Sequence, residues 1–153
     1  MNRLLFLVYN LVLHPVFLFM TFTLSIFNKK IRNGLIGRLE TGKHLKSYFN
    51  KNNIKSNIIW VHCSSFGEYL QAEPVINNLK SKNNNTVILV SFFSPSGYFN
   101  TNNQNIDCKI FMPFDFYWTI KSVFDIVNPS AIILASSDLW FNFLWVAKKR
   151  NIK

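Results

Sequence analysis

From Leu4 to Phe27 the chain is almost without interruption apolar. Wound as one helix it would be roughly 36 Å long, against roughly 30 Å of bilayer hydrocarbon. A run of that length has to be hidden in lipid or inside protein, and this limits what the remainder can build. A cleaved signal peptide fits worse, because the run is too long and no small-x-small cleavage pattern follows it. His14-Pro15 breaks the run, which leaves open a kinked helix, two short helices lying partly in the membrane, or a buried hairpin packed on the following domain. Only Arg3 precedes the run, whereas Lys29, Lys30, Arg32, Arg38 and Lys43 follow it. Basic flanks prefer the cytoplasmic side, so residues 1–30 read as a membrane anchor with the rest of the chain facing the cytoplasm.

The chain has 153 residues, enough for one domain with a core plus an appendage. Its net charge of +10 favours acidic partners, although Asn runs such as Asn83-Asn84-Asn85 beside scattered lysines equally reflect an amino-acid bias without selection for binding. No compact basic cluster alternates with aromatics, so nucleic acid is not an expected partner. Cys63 and Cys108 form no CxxC pair, and no His or carboxylate lies at ligand spacing, so neither a metal site nor a cofactor is expected.

Residues 31–56 read as a polar helical linker, and the character changes at Asn57. Ile58 to His62 is a short β-branched run, followed by a turn and a helix over 68–80 with Leu70, Val75, Ile76 and Leu79 as its apolar side. Strand-like segments at 86–93, 109–112 and 131–135 alternate with a short helix after Gly97 and helices over 117–127 and 139–149. The alternation predicts an α/β fold, a Rossmann-like, mostly parallel sheet covered on both faces, over 57–153.

In such sheets ligands collect beyond the C-terminal strand ends. Four segments lie there: Ser64-Ser65-Phe66-Gly67-Glu68, Ser94-Pro95-Ser96-Gly97, Pro113-Phe114-Asp115 and Ser136-Ser137-Asp138. Glu68 opens a helix after Gly67, which allows close approach, and after two serines able to cap or to bind a hydroxylated ligand. It either carries chemistry or satisfies the helix dipole. Ser94 and Ser96 suit an anion or an ordinary capped turn. Asp115 reads as an N-cap, His62 as a hydrogen-bonded packing residue, Trp140 as core, and Asp138 as a cleft residue. No P-loop, GxGxxG or Ser-His-Asp pattern is present.

Taken together, Ile59 to Glu68 (I-W-V-H-C-S-S-F-G-E), Phe92 to Gly97, Met112 to Asp115 and Asp138 to Asn142 resemble, in order and spacing, the N-terminal half of 3-deoxy-D-manno-octulosonic acid (Kdo) transferases. The resemblance covers nearly the whole chain. It implies the acceptor-side lobe of a two-lobed GT-B enzyme of glycosyltransferase family 30, inverting, which moves Kdo from CMP-Kdo to a lipid A precursor at the inner membrane. It implies Glu68 as general base; Ser64, Ser65, Gly67, Ser94, Ser96, Gly97 and Asp138 are expected to line the acceptor side. Ser136 stands where many members have an acidic residue, and Phe141 replaces a common proline. The C-terminal donor-binding lobe is expected to be missing, and residues 1–153 alone are expected to transfer no sugar. A different membrane-associated GT-B transferase and a non-catalytic anchored remnant stay open as alternatives.

Overall fold

The computed structural model describes residues 3–52, 57–135, 138 and 140–153. Its helices are α1 (Arg3–Val8), α2 (His14–Phe27), α3 (Lys29–Asn52), α4 (Phe66–Lys82), α5 (Pro95–Asn100), α6 (Tyr117–Val127) and α7 (Phe141–Lys149). The strands are β1 (Ile58–Cys63), β2 (Val87–Phe92), β3 (Cys108–Phe111) and β4 (Ala131–Leu134). All pairings are parallel, in the order β3-β2-β1-β4, with Val61 opposite both Val90 and Ile133. The expected α/β class and parallel sheet are what the chain forms. The C-terminal helix starts at Phe141, and Leu139, where the sequence pattern opens it, lies outside the described residues.

Strand pleating sends alternate side chains to opposite faces, and each face carries its own core. On one side Trp60, Leu89 and Ile110 pack against Leu45 and Phe49 of α3, Ile120 and Phe124 of α6, and Phe143 of α7. Trp60 meets Phe143 edge-on at 4.9 Å between ring centroids. On the other side Val61, Cys63, Val90 and Phe92 pack against Tyr69, Ala72 and Ile76 of α4. The buried stripe of α4 is therefore Tyr69-Ala72-Ile76. Leu70 and Val75, read from the sequence as part of its apolar side, are half exposed. A helix-period pattern fixes which residues share a face, but neighbouring elements decide which face turns inward.

The apolar run forms one rod from Arg3 to Phe27, long and apolar enough to cross a membrane. At Pro15 there is no sharp break. A π-helical turn, Tyr9–Leu13, widens the rod just before the proline, relieving the clash of its ring with the preceding turn. Only 11% of the most apolar window is buried, and Leu4, Leu11, Phe19, Phe22 and Phe27 stand exposed. The opposite side, with Asn10, His14 and Ser25, is buried. At Asn28 the chain reverses into α3: the Asn28 side chain accepts from the amides of Lys30 and Ile31, and Arg32 donates to the carbonyls of Ser25 and Ile26. Both open helix ends are thereby satisfied.

Helix α3 accounts for most of the segment read as a polar linker, and residues 53–56 of that segment lie outside the described residues. It buries Leu35, Leu45 and Phe49, and Thr41 donates from its Oγ1 to the carbonyl of Phe111 at 2.9 Å. Leu45→Ala should lower unfolding stability by about 2–5 kcal/mol, whereas Leu39→Ala on the exposed side should change it by less than about 0.5 kcal/mol. Urea unfolding in neutral detergent measures both. Equal, small effects would mean that α3 only tethers.

Candidate active site at the switch of strand order

The chain adds strands outward from β1 to β2 to β3, then returns to the opposite side of β1 with β4. Loops leaving β1 and β4 diverge at such a reversal, which opens a crevice beyond their C-terminal ends. The β1 loop carries Ser64, Ser65, Gly67 and Glu68, and Asp138 follows β4. These two groups meet: the Ser64 hydroxyl donates to the Asp138 carboxylate.

Ser65 caps α4, and Glu68 closes a reciprocal capping box with it. The Glu68 amide donates to Ser65 Oγ at 3.4 Å, while Glu68 Oε2 accepts the amide of Ser65 at 3.0 Å and also that of Ser64. Glu68 thus satisfies two amides at the open start of a helix. Both bonds go to Oε2, which leaves Oε1 for a ligand, and the side chain is partly exposed. The sequence reading set chemistry against capping as alternatives, yet one carboxylate can do both, because capping fixes its position. The order Ser65-x-x-Glu68 is the sequence signature of this arrangement. Gly67 is exposed, and an added Cβ would come no nearer than 3.9 Å, to Ser65 Oγ, so the backbone above the turn lies open to an incoming molecule.

Beneath this loop lies a buried polar line. Trp60 Nε1 donates to Ser91 Oγ at 2.8 Å, Ser91 Oγ meets His62 Nδ1 at 2.9 Å, and Trp140 Nε1 donates to His62 Nε2 at 3.3 Å. Burial pushes the His62 pKa down to about 4, so the ring is neutral near pH 7 and acts as a spacer under the cleft. Trp140, read as core, is only half-buried and lies over Phe93 at 5.3 Å. Burial also raises both Cys63 and Cys108 to about 12, which keeps these thiols protonated and inert.

The second segment joins the first through the backbone, since the Ser94 amide donates to the Ser64 carbonyl at 2.7 Å. Ser94 accepts the Ser96 amide at 3.3 Å, and the two hydroxyls lie 2.8 Å apart. Gly97 points into the protein, and a Cβ there would run into the Phe92 ring. The structure therefore brings together Ser64, Ser65, Glu68, Asp138 and Ser94, keeps Ser96 beside Ser94, and sets Gly97 in the packing underneath. Ser136, with Ser137, lies outside the described residues.

Asp115 does cap a helix, but not the one that follows it. Its Oδ1 accepts the Phe143 amide and its Oδ2 the Asn142 amide, both at 2.9 Å, at the start of α7. Oδ2 also accepts the Tyr9 hydroxyl at 2.8 Å, and the Asp115 amide donates to His14 Nε2 at 3.1 Å. Asn10 Oδ1 takes the Tyr117 amide and the Asn142 side chain, both at 2.9 Å. A polar junction with Asn10, His14, Asp115 and Asn142 buried thus ties the apolar rod to the loop after β3 and to α7.

A family model described as 3-deoxy-D-manno-octulosonic-acid transferase (kdotransferase) matches residues 37–153. The chain belongs to this family. A 3-deoxy-D-manno-octulosonic acid transferase of Aquifex aeolicus is 30% identical over 112 residues, covering 71% of this chain and 31% of that protein. A protein of Fusobacterium nucleatum named bifunctional glycosyltransferase/methyltransferase is 29% identical over 97 residues, covering 61% of this chain and 15% of its own length. The chain spans about a third or less of the curated relatives it matches. The matched region of the Kdo transferase family holds all of α4 to α7 and the four strands, hence every candidate site residue.

Tyr9, Asn10 and His14 were not singled out for function by sequence reasoning, although three polar side chains spaced along one side of an otherwise apolar rod are the signal that could have marked them. In the sequence Arg38 reads only as flanking charge. It is buried, and Arg38 Nη2 donates to the Phe93 carbonyl at 2.5 Å.

Burial raises Asp115 to about 6 from an ordinary 3.8, against the opposing pull of Tyr9, Asn142 and Phe143. A folded-state value above the unfolded one means that the stabilisation is complete below about pH 4 and is lost as the pH rises through about 6. Unfolding stability should therefore fall over this window by on the order of 1–3 kcal/mol more than in Asp115→Asn. Denaturant unfolding of both proteins at pH 4 to 7 measures the difference. Parallel pH profiles would mean that Asp115 is not the group responsible.

Proposed function

We propose that this chain is the acceptor-side half of an inverting glycosyltransferase that moves Kdo from CMP-Kdo to a lipid A precursor at the cytoplasmic face of the inner membrane, with Glu68 as the general base. The observation that carries the reading is the Glu68 carboxylate, fixed through Oε2 at the strand-order switch with Oε1 left for a hydroxyl. A neutral hydroxyl is a poor nucleophile. As the acceptor oxygen bonds to the anomeric carbon of the donor sugar, its proton passes to Glu68, and the bond to CMP breaks with its electron pair going to the leaving phosphate. Attack opposite the leaving group inverts the anomeric centre, with no covalent sugar-enzyme intermediate. Ser64, Ser65, Ser94 and Ser96 present polar groups to the acceptor, and Asp138 orients Ser64. The donor is held mainly by a second lobe.

A second reading is supported by the relative from Fusobacterium nucleatum, whose name couples glycosyl transfer to methyl transfer. In that reading the same base serves another sugar, and a panel of sugar nucleotides tested with the complete enzyme separates the two.

The apolar rod supports membrane residence in a particular posture. Its polar side is bonded to the α/β domain at Tyr9, Asn10 and His14, while its apolar side is exposed. A helix held along its length by the domain cannot also run through the bilayer away from it. In this reading the rod lies in the plane of one leaflet, beside the site where a lipid-borne acceptor arrives.

In the full-length enzyme Glu68→Gln keeps the side-chain size and loses the basicity. Turnover should drop by about 10²- to 10⁴-fold with acceptor binding retained, measured as Kdo transfer together with acceptor titration. Near-normal turnover would leave Glu68 as a capping residue only. Alkaline carbonate washing of membranes should leave the chain in the pellet, and release into the supernatant would rule out lipid residence of the rod.

A further inference from the structure

Arg38 is the only buried cation among the described residues classed as core, at 8% exposure, and no carboxylate pairs with it. The described ion pairs are Lys80 with Asp107, Lys121 with Asp125, and Arg150 with Asp125, all elsewhere. Its one hydrogen bond among the described residues runs from Nη2 to the Phe93 carbonyl, and the guanidinium lies over the Phe93 ring at 4.3 Å. An arginine offers five N–H donors in a fixed fork, so most of this fork is unused. A buried charge left in this state is costly unless something anionic meets it. Burial lowers its pKa only to about 10, so it is charged near pH 7.

The unused edge borders a cavity of about 290 Å³ walled by Phe17 and Leu24 of α2, Ile31 and Gly34 of α3, and Pro95. Gly34 is what keeps that edge open. A Cβ at this position would lie 2.8 Å from Arg38 Nη1 and 3.2 Å from Pro95 Cγ, filling the space between them. Ser94, whose amide is tied to the Ser64 carbonyl, also lines the cavity, so it adjoins the candidate active site.

We propose that this cavity binds a phosphate group carried on a lipid, the phosphate bridging the free edge of Arg38 and the acyl part lying along Phe17, Leu24 and the exposed apolar side of α2. Phosphate matches the guanidinium fork in charge and shape. Its lipid attachment follows from the walls, because a free anion would exchange water for Phe17, Leu24 and Ile31, whereas a lipid buries its chains there. The proposal rests on α1 and α2 contacting lipid and is independent of which sugar is transferred.

The test uses residues 1–153 in neutral detergent, titrated with dihexanoyl phosphatidic acid, inorganic phosphate and dihexanoylglycerol, and followed by thermal shift and by ³¹P line broadening. Phosphatidic acid should bind saturably, with the other two weaker by at least about tenfold. Arg38→Gln and Gly34→Ala should each weaken it by at least about tenfold, whereas Lys46→Gln, on the exposed side of α3, should cost no more than the roughly fivefold share of any single surface cation. Gly34→Ala keeps the Arg38 side chain and favours helix while its Cβ takes the space beside Nη1, so it decides the question if Arg38→Gln fails to fold. Phosphatidic acid binding unchanged in Gly34→Ala, or matched by inorganic phosphate or dihexanoylglycerol, would overturn the proposal. A chain that resists carbonate washing yet binds no phosphatidic acid would sink this site while leaving the membrane reading intact.

Discussion

The carboxylate of Asp115 holds three parts of the molecule in register. It caps α7 and accepts the hydroxyl of Tyr9, while the Asp115 backbone amide donates to His14. Asn10 and Asn142 complete the junction by sharing donors and acceptors with each other and with the Tyr117 amide. A buried carboxyl is tolerated only with its partners in place, so the group penalises any arrangement in which the rod is displaced. Without it α7 would lose a cap, since Trp140 at its N-cap makes no side-chain capping bond, and the rod would lose the bond from Tyr9. Phe6, packed edge-on against Tyr117 and Trp145, adds to the same docking.

The junction has consequences at the cleft. Docking of the rod positions α2 against α3, and α3 carries Arg38 to the carbonyl of Phe93. Phe93 in turn lies beneath Trp140, which touches His62 under the β1 loop. Glu68 and Asp138 therefore sit on a floor of interlocked aromatic and polar groups. Such a floor limits side-chain movement, which the proposed role of Glu68 as a base requires, since a base has to be held within a few tenths of an ångström of its target.

The capping role of Glu68 illustrates how a carboxylate can be held at a helix start with one oxygen left over. Two amides that would otherwise face the cleft unpaired are satisfied by the group that would accept a proton there. Positioning and helix termination are thus the same interaction. This is why residue types at a βα turn alone cannot tell a catalyst from a cap.

Much of this protein is legible in its sequence. Alternation of β-branched runs with helix-period segments determines a parallel α/β sheet, because only buried parallel strands read as continuous apolar runs. The W-V-H-C-S-S-F-G-E segment marks the first loop, and the length of the Leu4–Phe27 run determines that some large apolar surface must meet lipid or protein. These are local properties of period, composition and turn chemistry. Tertiary structure alone decided the rest. It turned Tyr69, Ala72 and Ile76 inward and left Leu70 and Val75 outward, made Asp115 the cap of a helix some 25 residues on, recruited Tyr9, Asn10 and His14, and buried Arg38 against a cavity. Each of these depends on which element packs against which, and pairings between groups more than 100 residues apart, such as Tyr9 with Asp115, leave no periodic trace in the chain.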